Sequence, residues 1–197
     1  FAIGADHTIV YRIDGGEGTV AHELVHVIVF NQLPTTPTWF EEALASNFEE
    51  YRIENGEIAG LFRLDHWRMN FMRENQQEAG PFDIDSLPPI GDIARRNQRL
   101  VMMFKEEAPV RETTFSFPEL DQVTAKMFVM FLQEKGKLRS VVHALGHQDL
   151  ESRFETQLTT IRESVGDDYE RQWRIWLDRK LRQAGAKTIF TENRIRK

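Results

Sequence analysis

Hydrophobic and polar positions change period several times along this chain, and each change predicts an element. Residues 8–13, Thr-Ile-Val-Tyr-Arg-Ile, are β-branched and aromatic, a strand pattern closed by Asp14-Gly15-Gly16. Apolar residues then dominate 20–31, which predicts a helix with Thr19 as its N-cap. Pro34 and Pro37 stop that helix. A second helix is predicted over 39–53, with Thr38 as its cap and Glu41 and Glu42 near its positive end. Glu54-Asn55-Gly56 reads as a turn, and a third helix as running over 58–74. Prolines 81, 88 and 89 and glycines 80 and 91 mark residues 78–92 as a crossing loop. Helical patterns follow over 93–107, 118–135, 137–145, 150–164 and 168–184, with Gly136, Gly146, Gly166 and Gly185 where C-caps belong. Residues 113–117 read as a short extended piece and 186–197 as a basic, frayed end.

This order of elements predicts a mostly α, α+β fold: a small N-terminal β portion, then two site-bearing helices, then a C-terminal helical lobe. The expected division is a metal-binding subdomain over 1–92 and a helical subdomain over 93–197. Length and composition agree, since 197 residues with 41% hydrophobic and 28% charged residues suit a globular chain rather than a disordered one. The net charge of -6 argues against a nucleic-acid partner, which would demand a basic face. The longest mainly apolar stretch, around 25–30, is too short to span a bilayer. The first residue is Phe1 rather than Met, as expected of a processed or trimmed product. Cysteine is absent, so thiolate metal sites and a cysteine nucleophile are excluded. The lack of cysteine leaves the compartment open.

Any metal must therefore use histidine and carboxylate ligands. His22-Glu23-Leu24-Val25-His26 offers them. Histidines at i and i+4 share one helix face, so both rings can reach a single cation, with Glu23 beside them. The motif sits among Val20, Ala21, Leu24, Val25, Val27, Ile28 and Phe30, where polar side chains without a task would be costly to bury. A catalytic zinc keeps three protein ligands, so a third is expected on the next helix. Glu41 and Glu42 both qualify. Spacing favours Glu42, because Ala45, Ser46 and Glu49 follow at i+3, i+4 and i+7 and form a small-residue face that can approach the first helix. Glu41 is explained by the helix dipole alone.

Residues 18–26 (Gly-Thr-Val-Ala-His-Glu-Leu-Val-His), followed by 37–45 (Pro-Thr-Trp-Phe-Glu-Glu-Ala-Leu-Ala), resemble the gluzincin zinc metallopeptidases of the peptidase MA-like group. The likeness is strong over 18–50. Further on it rests only on the Ala125–Leu132 pattern, on Gly136 and on Trp173-Arg174-Ile175-Trp176-Leu177. It implies a zincin-like fold and a Zn²⁺ held by His22, His26 and Glu42, and, because such domains are often exported, a secreted or periplasmic location rather than a cytoplasmic one. It also implies hydrolysis of a peptide or protein substrate, with Glu23 taking the proton of the attacking water and passing it to the leaving amine. Residues 8–13 would be the edge strand for extended substrate. Three positions depart from the family. Ala43 replaces a glycine. Ser46 stands where an acidic residue is common, which implies weaker orientation of His22. Gln122 stands where a tyrosine often supports the oxyanion, a role for which glutamine keeps a hydrogen-bond donor. The competing readings are a zincin-like binding or scaffolding module without turnover, and a plain helical interaction domain.

The remaining polar and aromatic residues read as structural. His143 and His147 are surface or helix-end histidines, His66 is a partly buried one, and His7 is exposed. Trp39 and Phe40 are core anchors. Trp173, Trp176, Leu177 and Leu181 form a packing stripe, and the charges of 168–182 a solvated face.

Overall fold

In the computed structural model the described residues are 16–49, 51–59, 81–96, 118–148 and 154–191. Helix α1, Gly16–Gln32, begins upstream of the expected cap, so Thr19 lies inside it. The glycines at 16 and 18, poor helix formers, are why propensity set the start later. Leu33 closes the helix by donating its N–H to Val29 O at 2.8 Å. Helix α2, Thr38–Ser46, starts with Pro37 rather than Thr38 at the cap; Pro37 O accepts the N–H groups of Phe40 and Glu41 at 2.9 and 3.0 Å.

Helix α2 also ends well short of residue 53. Asn47 stops it: its backbone N–H donates to Leu44 O, and its side-chain Nδ2 donates to Ala43 O at 2.8 Å and Lys126 O at 3.4 Å. A hairpin follows in place of the expected helices, β1 Arg52–Glu54 and β2 Glu57–Ala59, with Ile53 opposite Ile58. Its two-residue turn places Asn55 at φ 55° and Gly56 at φ 82°, the left-handed pair that Asn-Gly adopts at low cost. The expected turn at 54–56 is therefore present, whereas Ile53 and Ile58 are in strands.

Strand β3, Phe82–Asp83, leads through a 3₁₀ turn, Ile84–Ser86, to α3, Ile90–Arg96. Helices α4 (Glu119–Glu134), α5 (Leu138–Gly146), α6 (Phe154–Val165) and α7 (Tyr169–Gln183) follow close to the expected positions. Gly136 and Gly185, at φ 66° and 80°, let the chain leave α4 and α7. Strand β4, Thr188–Ile189, pairs in parallel with β3, and Thr191 N–H donates to Asp85. The chain expected to fray from 186 is thus docked through 191, because β3 offers it a sheet edge. The expected strands at 8–13 and 113–117, most of the expected helices at 58–74 and 93–107, His7 and His66 lie outside the described residues.

The described residues are mostly helical with short strands, an α+β arrangement. One hydrophobic cluster unites Trp39 and Phe40 of α2, Ile90 and Ile93 of α3, Phe128 and Phe131 of α4, and Trp173 and Leu177 of α7, all at most 1% exposed. Each such large side chain contributes about 1.5–3 kcal/mol by leaving water. Both expected subdomains share this cluster. A smaller one, Val25, Val29 and Ala45 flanked by Leu33, Leu44 and Phe48, fills the seam between α1 and α2. That seam positions the two helices that carry His22, His26 and Glu42.

The solvated face expected over 168–182 has an exception. Arg174 is buried at 5% exposure and donates to Ile84 O, Leu87 O and Glu170 Oε1. Ile84 O already accepts the Leu87 N–H at 3.3 Å, and the guanidinium adds a second donor to it and a donor to Leu87 O just past the turn.

Candidate metal centre

Helix α1 presents His22 and His26 one turn apart toward α2. The apolar seam holds Val25 and Val29 inward, and because they lie on the same side of the helix as the histidines, both imidazoles turn inward with them. Their Nε2 atoms converge to 3.0 Å. Glu42, from the second turn of α2, brackets the same point: Oε2 lies 3.5 Å from His22 Nε2 and Oε1 lies 3.6 Å from His26 Nε2. The ligand atoms of these three residues all fall within 4.8 Å of one another.

This donor set fits zinc. Tetrahedral ligands at about 2.0–2.1 Å from zinc are about 3.3 Å from each other; here the Nε2 pair is 3.0 Å apart, and each Nε2 has a different Glu42 oxygen beside it, at 3.5 and 3.6 Å. The ring nitrogens also need something between them. His26 Nδ1–H donates to Glu41 Oε1 at 2.8 Å, and His22 Nδ1 lies 3.0 Å from Glu49 Oε1. With both Nδ1 protons facing carboxylates, two Nε2 lone pairs would meet head-on, and only a proton or a cation relieves that. The His22 contact with Glu49 has the separation of an ion pair but not the alignment of a hydrogen bond.

Electrostatics agree with the crowding. Burial alone pushes His22 down, but Glu42 and Glu49 beside it override burial and raise its pKa to about 9. Glu23 is half-buried. Burial raises its carboxyl above the ordinary value, His22 and His26 pull it back, and Glu42 raises it further. A carboxylate of raised basicity within the field of both histidines suits a proton acceptor.

The fold therefore brings together Glu23, His22, His26 and Glu42. Glu41, assigned to the helix dipole by its position, does lie in the first turn of α2, but its carboxylate reaches His26. Ser46 is buried and makes no hydrogen bond to His22; the acidic group near His22 Nδ1 is Glu49, one turn later, in an ion-pair contact rather than an aligned hydrogen bond. The i+7 spacing of Glu49 from Glu42 was the available signal, since it set Glu49 on the face turned toward α1. Gln122 lies half-buried in the first turn of α4, the helix that packs along α2. His143 and His147 are exposed at the end of α5, their rings 4.5 Å apart. Comparisons with family models, with curated proteins and with solved structures give no match to this chain.

Proposed function

We propose that this chain is a zinc-dependent peptidase of the gluzincin type, with a zincin-like arrangement of its two site helices. The observation that carries this reading is the convergence of two imidazole Nε2 atoms and one carboxylate from His22, His26 and Glu42, with Glu23 adjacent on the same helix. Zinc at such a centre supplies Lewis-acid polarisation of the scissile carbonyl and a water whose pKa falls toward about 7. His22, His26 and Glu42 hold the ion. Glu23 accepts the proton of the attacking water and delivers it to the leaving amine nitrogen, a relay aided by its raised basicity. Gln122 is the candidate donor to the developing oxyanion. The substrate class is a peptide or protein. Among the described residues no helix is long and apolar enough to cross a membrane.

The test is cleavage of a generic peptide mixture, with and without chelator. Chelator-sensitive cleavage by the unaltered chain, lost on Glu23→Gln while zinc stays bound, supports the enzyme. Cleavage retained by the Gln variant removes Glu23 from its role. Stoichiometric zinc without any cleavage favours the binding-module reading instead.

A further inference from the structure

Each histidine of the triad is met at its outer ring nitrogen by a carboxylate of its own. Glu41 takes Nδ1 of His26 at 2.8 Å, and Glu49 faces Nδ1 of His22 at 3.0 Å. All four side chains are largely shielded, with 9% and 12% exposure for the histidines and 20% and 12% for the carboxylates. Together with Glu42, helix α2 and the turn after it grip both nitrogens of both rings.

We propose that Glu41 and Glu49 are positioning residues that fix His26 and His22 in the Nδ1–H tautomer and so set how tightly the centre binds a divalent cation. This rests on reading His22, His26 and Glu42 as a metal site. A neutral imidazole has one ring proton, and only when it sits on Nδ1 does Nε2 keep a lone pair for a metal. A carboxylate at Nδ1 selects that tautomer, holds the ring against flipping and strengthens the Nε2 donor. Neither carboxylate is placed to be a ligand through these contacts, because each touches the ring nitrogen facing away from the Nε2 pair. Glu41 stands near the positive end of α2, but a charge held there only by the dipole would leave the tautomer and the metal affinity of His26 unchanged. Glu49 is held by the turn that Asn47 pins to α4, so its reach to His22 depends on tertiary structure.

The experiment measures zinc affinity of the full chain by competition with a chromophoric chelator, for the unaltered protein and for Glu41→Ala, Glu41→Gln, Glu49→Ala and Glu49→Gln. Folding of each variant is followed by circular dichroism, and ring nitrogens are read by ¹⁵N NMR in the zinc-loaded protein. Each Ala variant is expected to bind zinc about 10–100-fold more weakly. Glu41→Gln is expected to recover part of that loss, because its amide oxygen can still accept the Nδ1 proton of His26, and Glu49→Gln to recover less, because the Glu49 contact is that of an ion pair. Folded Ala variants that bind within about threefold of the unaltered chain would overturn the proposal while leaving the metal site standing. If an Ala variant does not fold, the Gln variant at that position decides: zinc binding weakened by more than about threefold supports the proposal, and binding within that margin, or a bare Nδ1 on either histidine of the unaltered complex, overturns it. An unaltered chain that binds no zinc overturns the metal reading itself, a result distinct from both.

Discussion

His22 couples the centre to pH. Its proton is held to about pH 9 by Glu42 and Glu49 against the opposing effect of burial. The folded pKa lies above the unfolded one, so the proton-bound contact stabilises the metal-free fold fully below about 6.5 and is lost as pH rises through about 9. Zinc needs the same nitrogen without its proton. Its apparent affinity should therefore fall about tenfold for each pH unit below 9, with one proton released per ion bound. Calorimetry in buffers of different ionisation enthalpy measures that release, and an affinity flat between pH 7 and 9 would contradict it. Glu23 belongs to the same scale. Glu23→Gln keeps the ligand set and removes the proton acceptor, so turnover should drop by about 100-fold or more while zinc affinity stays within the range of the unaltered chain. The HExxH motif was legible in the sequence because a one-turn spacing determines a shared helix face. The contact between Glu41 and His26 was not, because position near the start of α2 already explained an acidic residue.

At the scale of elements, the α1–α2 pair depends on a loop held by α5. Thr35 Oγ1 donates to Leu145 O at 2.9 Å, and Gly146 lies against Leu33. A Cβ at Gly146 would sit 2.6 Å from Leu33 Cβ and 2.5 Å from its Cδ2, so something must move. Gly146→Ala should destabilise the fold by about 1–3 kcal/mol, and adding Leu33→Ala should return part of the loss. Chemical denaturation reads both, and an unchanged midpoint in the single variant would remove the close-approach argument. Gly146 was expected to act as a helix cap; its neighbour across the loop shows a packing reason instead. The hairpin illustrates the same limit. Asn55-Gly56 announced its turn, but the helical pattern before and after it masked strands of three residues each.

At the scale of the molecule, Arg174 ties α7 to the segment before α3. It satisfies Ile84 O and Leu87 O, and Glu170 in turn accepts the N–H of Ile90. Burial raises the Glu170 carboxyl, and Arg174 pulls it back down. Arg174→Ala leaves two carbonyls and a buried carboxylate without that partner, and should cost about 3–5 kcal/mol in a urea titration. Arg174→Lys should recover little, since one ammonium cannot serve the same fork of acceptors. A loss below about 1 kcal/mol for the Ala variant would show that the clamp is replaceable.

The helices α4, α5 and α7, the apolar stripes on α2 and α7, and the pairing of His22 with His26 followed from the sequence alone, because helical periodicity is a local property. Tertiary structure decided the rest. Whether Glu41, Glu42 or Glu49 meets a given imidazole depends on how α2 is rotated and where Asn47 ends it, and the burial of Arg174 depends on carbonyls some 90 residues away in the chain. Such contacts join groups distant in sequence, and no periodicity records them.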